Sequence, residues 1–402
     1  LSPVDDAGQY PGAAPGPGVL TSRLIDIPQQ LFAEEHWGRK ALLTHRAGDF
    51  ADLFSPAAVD ELISRRGLRS PFLRVAKDGE TLPVSSFTSP GGVGATIGDQ
   101  LDDTALWRHL DAGATLVLQA LQRTWEPIGD FVTRLAEELG HPVQANAYIT
   151  PPQNQGFDDH YDVHDVFVLQ ISGTKRWIIH EPVVDHPLRD QPWTDRRDEV
   201  AAAAADAPAI DAVLEPGDVL YLPRGWLHAA TAQGEVSIHL TLGVHTWTGH
   251  AVAEQLAQAV TTILRDDPEI RASLPLGVEE LDQDIVDLVK KRFADALDQA
   301  DPRPAFHRTR RSQARPAPLG PLAQLRAVND LGPDTLVSWR GGLDSTVTGS
   351  RLMTRVGWLD LTDEELTAVR RLLDGEVLTC GEFGTHLTRR LLRAGVVVPV
   401  QS

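Results

Sequence analysis

Cysteine is almost missing: Cys380 is the single one in 402 residues. A lone thiol excludes an internal disulfide and any zinc site built from cysteines, and it suits a reducing compartment. Basic residues are also scarce. Lys and Arg total 37 against 56 Asp and Glu, a formal charge of -19. That balance disfavours general affinity for nucleic acid or anionic membranes. No run of about 18 apolar residues occurs, so no membrane span is expected. The first residues lack the basic-then-apolar order of a signal peptide, and the expectation is a cytoplasmic protein. The remainder is ordinary for a globular chain, with 42% hydrophobic and 23% charged residues. Such a length holds a large core and roughly two or three domains.

Residues 1–20 are rich in Pro, Gly and Ala and read as a flexible arm. Helices are expected over 31–38, over 56–65 behind Ser55 as N-cap with Pro56 at the first position, and over 128–139, ended by Gly140. Short strands are expected at 72–75, 84–87 and 114–120, and Ser89 to Gly94 reads as a loop without a phosphate-binding pattern. From Gln144 to Val244 the pattern becomes short strands punctuated by Gly, Pro and Asp: 144–150, 166–171, 175–180, 219–222, 228–231 and 236–244. Ser172-Gly173 reads as a tight hairpin turn. So many short antiparallel strands point to a mainly β, double-sheet jelly roll.

After Gly249 the periodicity turns helical, over 251–265 and 278–297. The second helix carries Leu281, Ile285, Leu288, Val289, Phe293 and Leu297 on one stripe, which could pack inward or form a dimer seam. Residues 301–318, with four prolines and five arginines, read as a linker. Its charge run is either solvated or a dock for an acidic surface or RNA. Helices at 362–373 and 381–393 and a strand at 396–400 suit a small winged-helix module. Its charges nearly balance, so direct DNA binding is not expected. Arg340-Gly-Gly-Leu-Asp-Ser345 is similar to the phosphate loop of ATP pyrophosphatases. It lacks that loop's first serine and any following helix, and reads as a hairpin turn.

The chemistry sits in His160-Tyr161-Asp162 and His228. Residues i and i+2 of a strand share a face, so His160 and Asp162 can grip one ion together. His228 follows Pro216-Gly-Asp-Val-Leu-Tyr-Leu-Pro-Arg-Gly-Trp, a turn, an apolar run and a second turn. Two imidazoles and one carboxylate form the facial triad of Fe(II) oxygenases, which leaves positions open for O2 and a keto acid. A cation for the far carboxylate of 2-oxoglutarate is then required, and Lys175 is the candidate. Arg176 should point to the opposite face. Asn146 and Tyr148, two apart on the preceding strand, are candidates for neutral hydrogen bonds in the same cavity. His164 is expected beside the site or at the surface, and His239 as a hydrogen-bonded core residue. His180, His245 and His250 carry no pattern.

Two segments, His160 to Trp177 and Pro216 to His228, resemble the JmjC-type 2-oxoglutarate oxygenases, and within them the ribosomal oxygenase branch of cupin-like protein hydroxylases. The strong similarity covers about a hundred residues, Gln144 to Val244. The resemblance implies Fe(II) on His160, Asp162 and His228, with 2-oxoglutarate meeting Lys175 and with Asn146 and Tyr148 lining the pocket. It implies hydroxylation of a protein side chain, His or Arg of a ribosomal protein, with demethylation claimed for some relatives. It also implies a catalytic domain over 21–250, a helical dimerisation region over 251–300 and a C-terminal winged helix over 319–402, hence a homodimer. One departure stands out. Some relatives place a serine where this chain has Gly243, and Ser237 or Thr241 could substitute. Two rival readings remain open: the same chemistry on a small molecule or peptide natural product, and a non-catalytic metal-binding cupin scaffold.

Overall fold

The computed structural model describes residues 18–400, apart from 95 and 156. The expected flexible arm lies outside the described residues except at its end, where Val19 and Leu20 open a short helix, Val19–Arg23, and are buried. The chain divides into two compact units, one ending at Thr246 and the other starting at Trp247.

The first unit is built on a nine-stranded sheet whose pairings are all antiparallel among the described residues. Its spatial order runs through the strands that start at residues 42, 219, 165, 227, 143, 115, 73 and 80, with the strand from 210 paired beside the one from 165. Alternation sorts the side chains. Phe167 and Leu169 join the large apolar core with Phe131, Leu135, Leu240 and Leu242. Their neighbours Val166 and Val168 face the other way, into a cavity. Helix Pro56–Arg65 forms as the sequence indicates, with the Ser55 hydroxyl accepting from Ala58 N–H at 3.2 Å. Helix Glu126–Leu139 ends at Gly140 in the left-handed region, φ 69°.

Two expectations in this unit need correction. Ser172-Gly173 is not a hairpin turn. Asp165–His180 is one continuous strand, and Leu227–Val244 is another. They pair along their whole length, with a register shift between Gln233 and Ile238 opposite Gly173. Gly173 has φ 63°, and a Cβ there would strike the Val236 carbonyl, so its positive φ serves a bulge and not a reversal. Residues 84–87 are not a strand. Pro83 precedes a single helical turn, Val84–Ser86, and the Ser86 hydroxyl donates back to the Pro83 carbonyl at 2.7 Å.

The second unit holds helices Gly249–Leu264 and Gln283–Leu297. Residues expected as a linker include a helix, Arg303–Gln313. Its prolines sit at the N-terminus, where a missing N–H costs nothing. Arg310 at the other end pairs with Asp344 at 3.2 Å, and Arg311 donates to the Asp344 carbonyl at 3.2 Å. Beyond it lie two three-stranded sheets around a small core that includes Val337, Leu352, Val369 and Leu391. Residues 340–345 are not a hairpin turn, because the strands they join, Leu336–Trp339 and Thr346–Thr348, belong to different sheets. Helix Asp363–Leu373 starts with a capping box between Thr362 and Glu365.

Gly173→Ala should lower the stability of the chain by more than about 1 kcal/mol. The check is the midpoint of a denaturant titration. An unchanged midpoint would mean the bulge tolerates a side chain.

Candidate metal centre

Two turns bring the ligands together. At the first, Gly217 has φ 98°, and a Cβ would lie 2.8 Å from the Gly48 carbonyl. The buried Asp218 carboxylate accepts from Arg46 N–H at 2.9 Å and Glu215 N–H at 3.0 Å. Strand Val219–Leu222 follows, all buried. At the second turn, Gly225 N–H donates to the Asp162 carbonyl at 3.0 Å, and Arg224 N–H donates to the Asp165 carboxylate at 3.0 Å. Tyr221 hydroxyl reaches the same carboxylate at 2.6 Å. The turn that precedes His228 is thereby pinned to the segment that carries Asp162.

His160 and His228 then pair through their backbones. His160 N–H donates to the His228 carbonyl at 3.2 Å, and His228 N–H donates to the His160 carbonyl at 2.8 Å. One ligand atom each from His160, Asp162 and His228 can be chosen so that all three lie within 4.8 Å of one another. His228 Nε2 is 3.9 Å from Asp162 Oδ2. Nδ1 of His160 lies 2.7 Å from the Asp158 carbonyl, and Nδ1 of His228 lies 3.0 Å from the Trp226 carbonyl. A carbonyl only accepts, so each Nδ1 carries the proton and each Nε2 keeps a free lone pair. Burial and the neighbouring His160 push His228 down to about 4, so it is neutral at pH 7, as a ligand must be. Burial pushes the Asp162 carboxyl upward, but His164, His228, His160 and Arg74 together outweigh it and hold the group below its usual range. A tri-dentate set on one side of an ion, with two imidazoles and one carboxylate, suits a divalent metal that retains open positions.

The triad lines a cavity of roughly 220 Å³ that also receives Lys175, Tyr148, Arg74 and His239. Lys175 is buried, and its Nζ donates to the Thr150 hydroxyl at 3.2 Å. Among the described residues no carboxylate forms an ion pair with it, and burial drives it down to about 7. Arg176 is exposed on the opposite face and pairs with Asp211 at 2.6 Å. Tyr148 stacks on His239 at 4.8 Å between ring centroids, and burial raises its pKa.

Three residues sit differently from expectation. Asn146 is not among the cavity's lining residues, and its side-chain oxygen accepts from Ala120 N–H at 3.0 Å. His239 is no hydrogen-bonded core residue: it faces the cavity, and its Nδ1 has no partner among the described residues. Gly243 is not among the lining residues either, although it pairs with the lining Val166, and a Cβ there would meet Gln144 and His164 at 3.2 Å. Thr150 supplies the hydroxyl at Lys175, while Ser237 accepts from Gln170 at 2.9 Å and Thr241 lines the cavity. His164 meets the His245 ring edge to face at 5.2 Å between centroids, beside the triad. Arg74, Thr115 and Thr150 were not singled out by sequence. Thr150 could have been, because it continues the alternation of Asn146 and Tyr148.

Residues 122–252, which include the triad, Lys175, Tyr148 and His239, match the JmjC domain family. This stretch of the chain is a JmjC domain, with the cupin-like fold of that class. The likeness extends beyond the domain. Human ribosomal oxygenase 1 is 30% identical over 385 residues, covering 90% of this chain and 56% of that protein. A Drosophila pseudoobscura pseudoobscura protein named bifunctional lysine-specific demethylase and histidyl-hydroxylase NO66 is 26% identical over 287 residues, 69% of this chain and 28% of that one. The chain spans just over half the length of the human relative. The Escherichia coli ribosomal oxygenase YcfD, solved in complex with cobalt and succinic acid, aligns over 94% of this chain and 99% of its own at TM-score 0.57 and 18% identity. YcfD has also been solved with cobalt and 2-oxoglutarate, at TM-score 0.55.

A buried lysine without a counter-charge weakens the fold. The unfolded lysine titrates near 10.5 and the folded one near 7, so between those values the unfolded chain binds more protons and stability rises with pH. Lys175→Met should stabilise the metal-free protein by about 1–4 kcal/mol. The gain should be full below pH 7 and fade toward pH 10.5. Melting temperatures of both proteins across that range check it, and a destabilised variant at pH 7 would contradict it.

Proposed function

We propose that this chain is an Fe(II)- and 2-oxoglutarate-dependent oxygenase that hydroxylates a side chain of a protein, His or Arg of a ribosomal protein. The observation that carries the reading is one cavity containing both a three-ligand set and a buried, unpaired lysine. A scaffold site has no use for such a lysine, which costs stability until an anion meets it.

The residues fit the group. His160 and His228 would bind Fe(II) through Nε2, and Asp162 through its carboxylate, with Asp158 and Trp226 carbonyls fixing the ring orientation. Lys175, with Thr150 beside it, would hold the distal carboxylate of 2-oxoglutarate, and the arriving carboxylate would restore the charge on the ammonium. Once bound, Fe(II) with 2-oxoglutarate and O2 supplies oxidation of a C–H bond to C–OH, with release of succinate and carbon dioxide. Tyr148 and His239 form a flat wall against which a planar substrate group can lie.

We further assign a catalytic domain over 21–250, a helical dimerisation region over 251–300 and a winged-helix module over 319–402, joined through 301–318. Support for a homodimer comes from the exposed Leu281, Val289, Phe293 and Leu297 on and beside helix Gln283–Leu297. Among the described residues no helix is long and apolar enough to cross a membrane. With a single cysteine, the chain suits a reducing cytoplasm that contains ribosomal protein.

Purified protein with Fe(II) and 2-oxoglutarate should form succinate when offered ribosomal protein, and mass spectrometry should find one added oxygen on it. Asp162→Ala should lose at least about a hundredfold of that turnover. Oxygen added to metabolites instead of ribosomal protein would favour the small-molecule reading. Turnover unchanged in Asp162→Ala would refute the metal assignment.

A further inference from the structure

We propose that Arg74 sets the substrate specificity of this cavity: its guanidinium excludes a protonated side chain and holds an uncharged one through an acceptor atom. This deepens the oxygenase reading and rests on it.

Arg74 lies on strand Leu73–Lys77. Its register partner is Val117, whose partner is Tyr148, whose partner is His239. Directly opposed residues of antiparallel strands project to one face, so Arg74 shares the cavity face with Tyr148 and His239. Its guanidinium carbon lies 5.2 Å from the centroid of the Phe157 ring, and its charge is close enough to the Tyr148 hydroxyl to act on it. That leaves donors over. Nε is buried and has no partner, and among the described residues no carboxylate forms an ion pair with Arg74. A guanidinium presents five N–H donors and accepts nothing.

The charge count gives these free donors a direction. Asp162 is the sole carboxylate lining the cavity among the described residues, and the metal would claim it. Arg74, Lys175 and a divalent ion then leave the cavity positive, even after a dianionic co-substrate has bound. An ammonium or guanidinium entering on a substrate would be repelled at short range where water is scarce. A neutral imidazole or carboxamide would not, and its ring nitrogen or carbonyl oxygen could accept from Arg74. If Arg74 served only to brace the Phe157 loop, its charge would be irrelevant to what the cavity admits.

The test uses the full chain with Mn(II) and 2-oxoglutarate, without oxygen, and labelled peptides Gly-Gly-X-Gly-Gly with X as His, Asn, Arg or Lys. At a pH of about 8 the imidazole is neutral and the other two bases are charged. Fluorescence anisotropy should show the His and Asn peptides binding at least about tenfold tighter than the Arg and Lys peptides. Arg74→Met should erase that gap, Arg74→Glu should invert it, and Arg74→Lys should largely restore it. Should Arg74→Met fail to fold, Arg74→Gln keeps a polar side chain with N–H donors without the charge and carries the same expectation. Absence of the preference in the wild type, or its survival in Arg74→Met or Arg74→Gln, overturns the assignment of Arg74 alone when Mn(II) and 2-oxoglutarate still bind. A wild type that binds neither overturns the oxygenase reading and this inference with it.

Discussion

The reciprocal backbone pairing of His160 with His228 is the contact on which the site depends. Each residue donates its N–H to the other's carbonyl, at 3.2 and 2.8 Å. Each such bond is worth only about 1 kcal/mol, yet together they fix two ligands from distant parts of the chain side by side. Asp162 comes with His160, two residues on, and its carbonyl is held in turn by Gly225 of the turn before His228. The buried Asp165 carboxylate ties that same turn to Tyr221. Ligand geometry is thus set by main-chain contacts before any ion arrives, which is the preorganisation a weakly held metal requires.

Around this frame the cavity is costly for the fold to maintain. Lys175 and His239 are buried, each disfavoured in its charged form, and His239 Nδ1 lacks a partner among the described residues. His228 is kept neutral by the same burial. Sites that bind charged ligands commonly carry such unmet demands, because the ligand and not the fold satisfies them. On the proposed reading, Lys175 would meet a carboxylate, the Nε2 atoms a metal, and Arg74 an acceptor.

Much of this was legible in the residues. The His-x-Asp pair was legible as a ligand pair, although His160 sits on an isolated bridge to His228 and Asp162 precedes strand Asp165–His180 instead of both lying in a strand. The turn, apolar run and turn before His228 announced a ligand delivered by a second strand. Lys175 was legible because alternation placed Arg176 outside, where it meets Asp211. What escaped has physical reasons. Ser172-Gly173 looks like a turn locally, but the choice between a reversal and a bulge is made by the opposite strand, at Val236. Asn146 alternates correctly with Tyr148, yet the unpaired N–H of Ala120 captures its oxygen. Arg74 stands some seventy positions from Tyr148, and only the register through Val117 brings them to one face. The prolines of 302–304 suggested a linker, but at the N-terminus of a helix they are compatible with one.

Cobalt(II) titration of the metal-free protein, followed by visible absorption, tests the central claim most directly. Three ligands on one side of an ion leave room for water, so one equivalent should bind with the weak bands of a six- or five-coordinate ion, and 2-oxoglutarate should then change that spectrum. Intense bands of a closed tetrahedral site, or a spectrum indifferent to 2-oxoglutarate, would contradict the account.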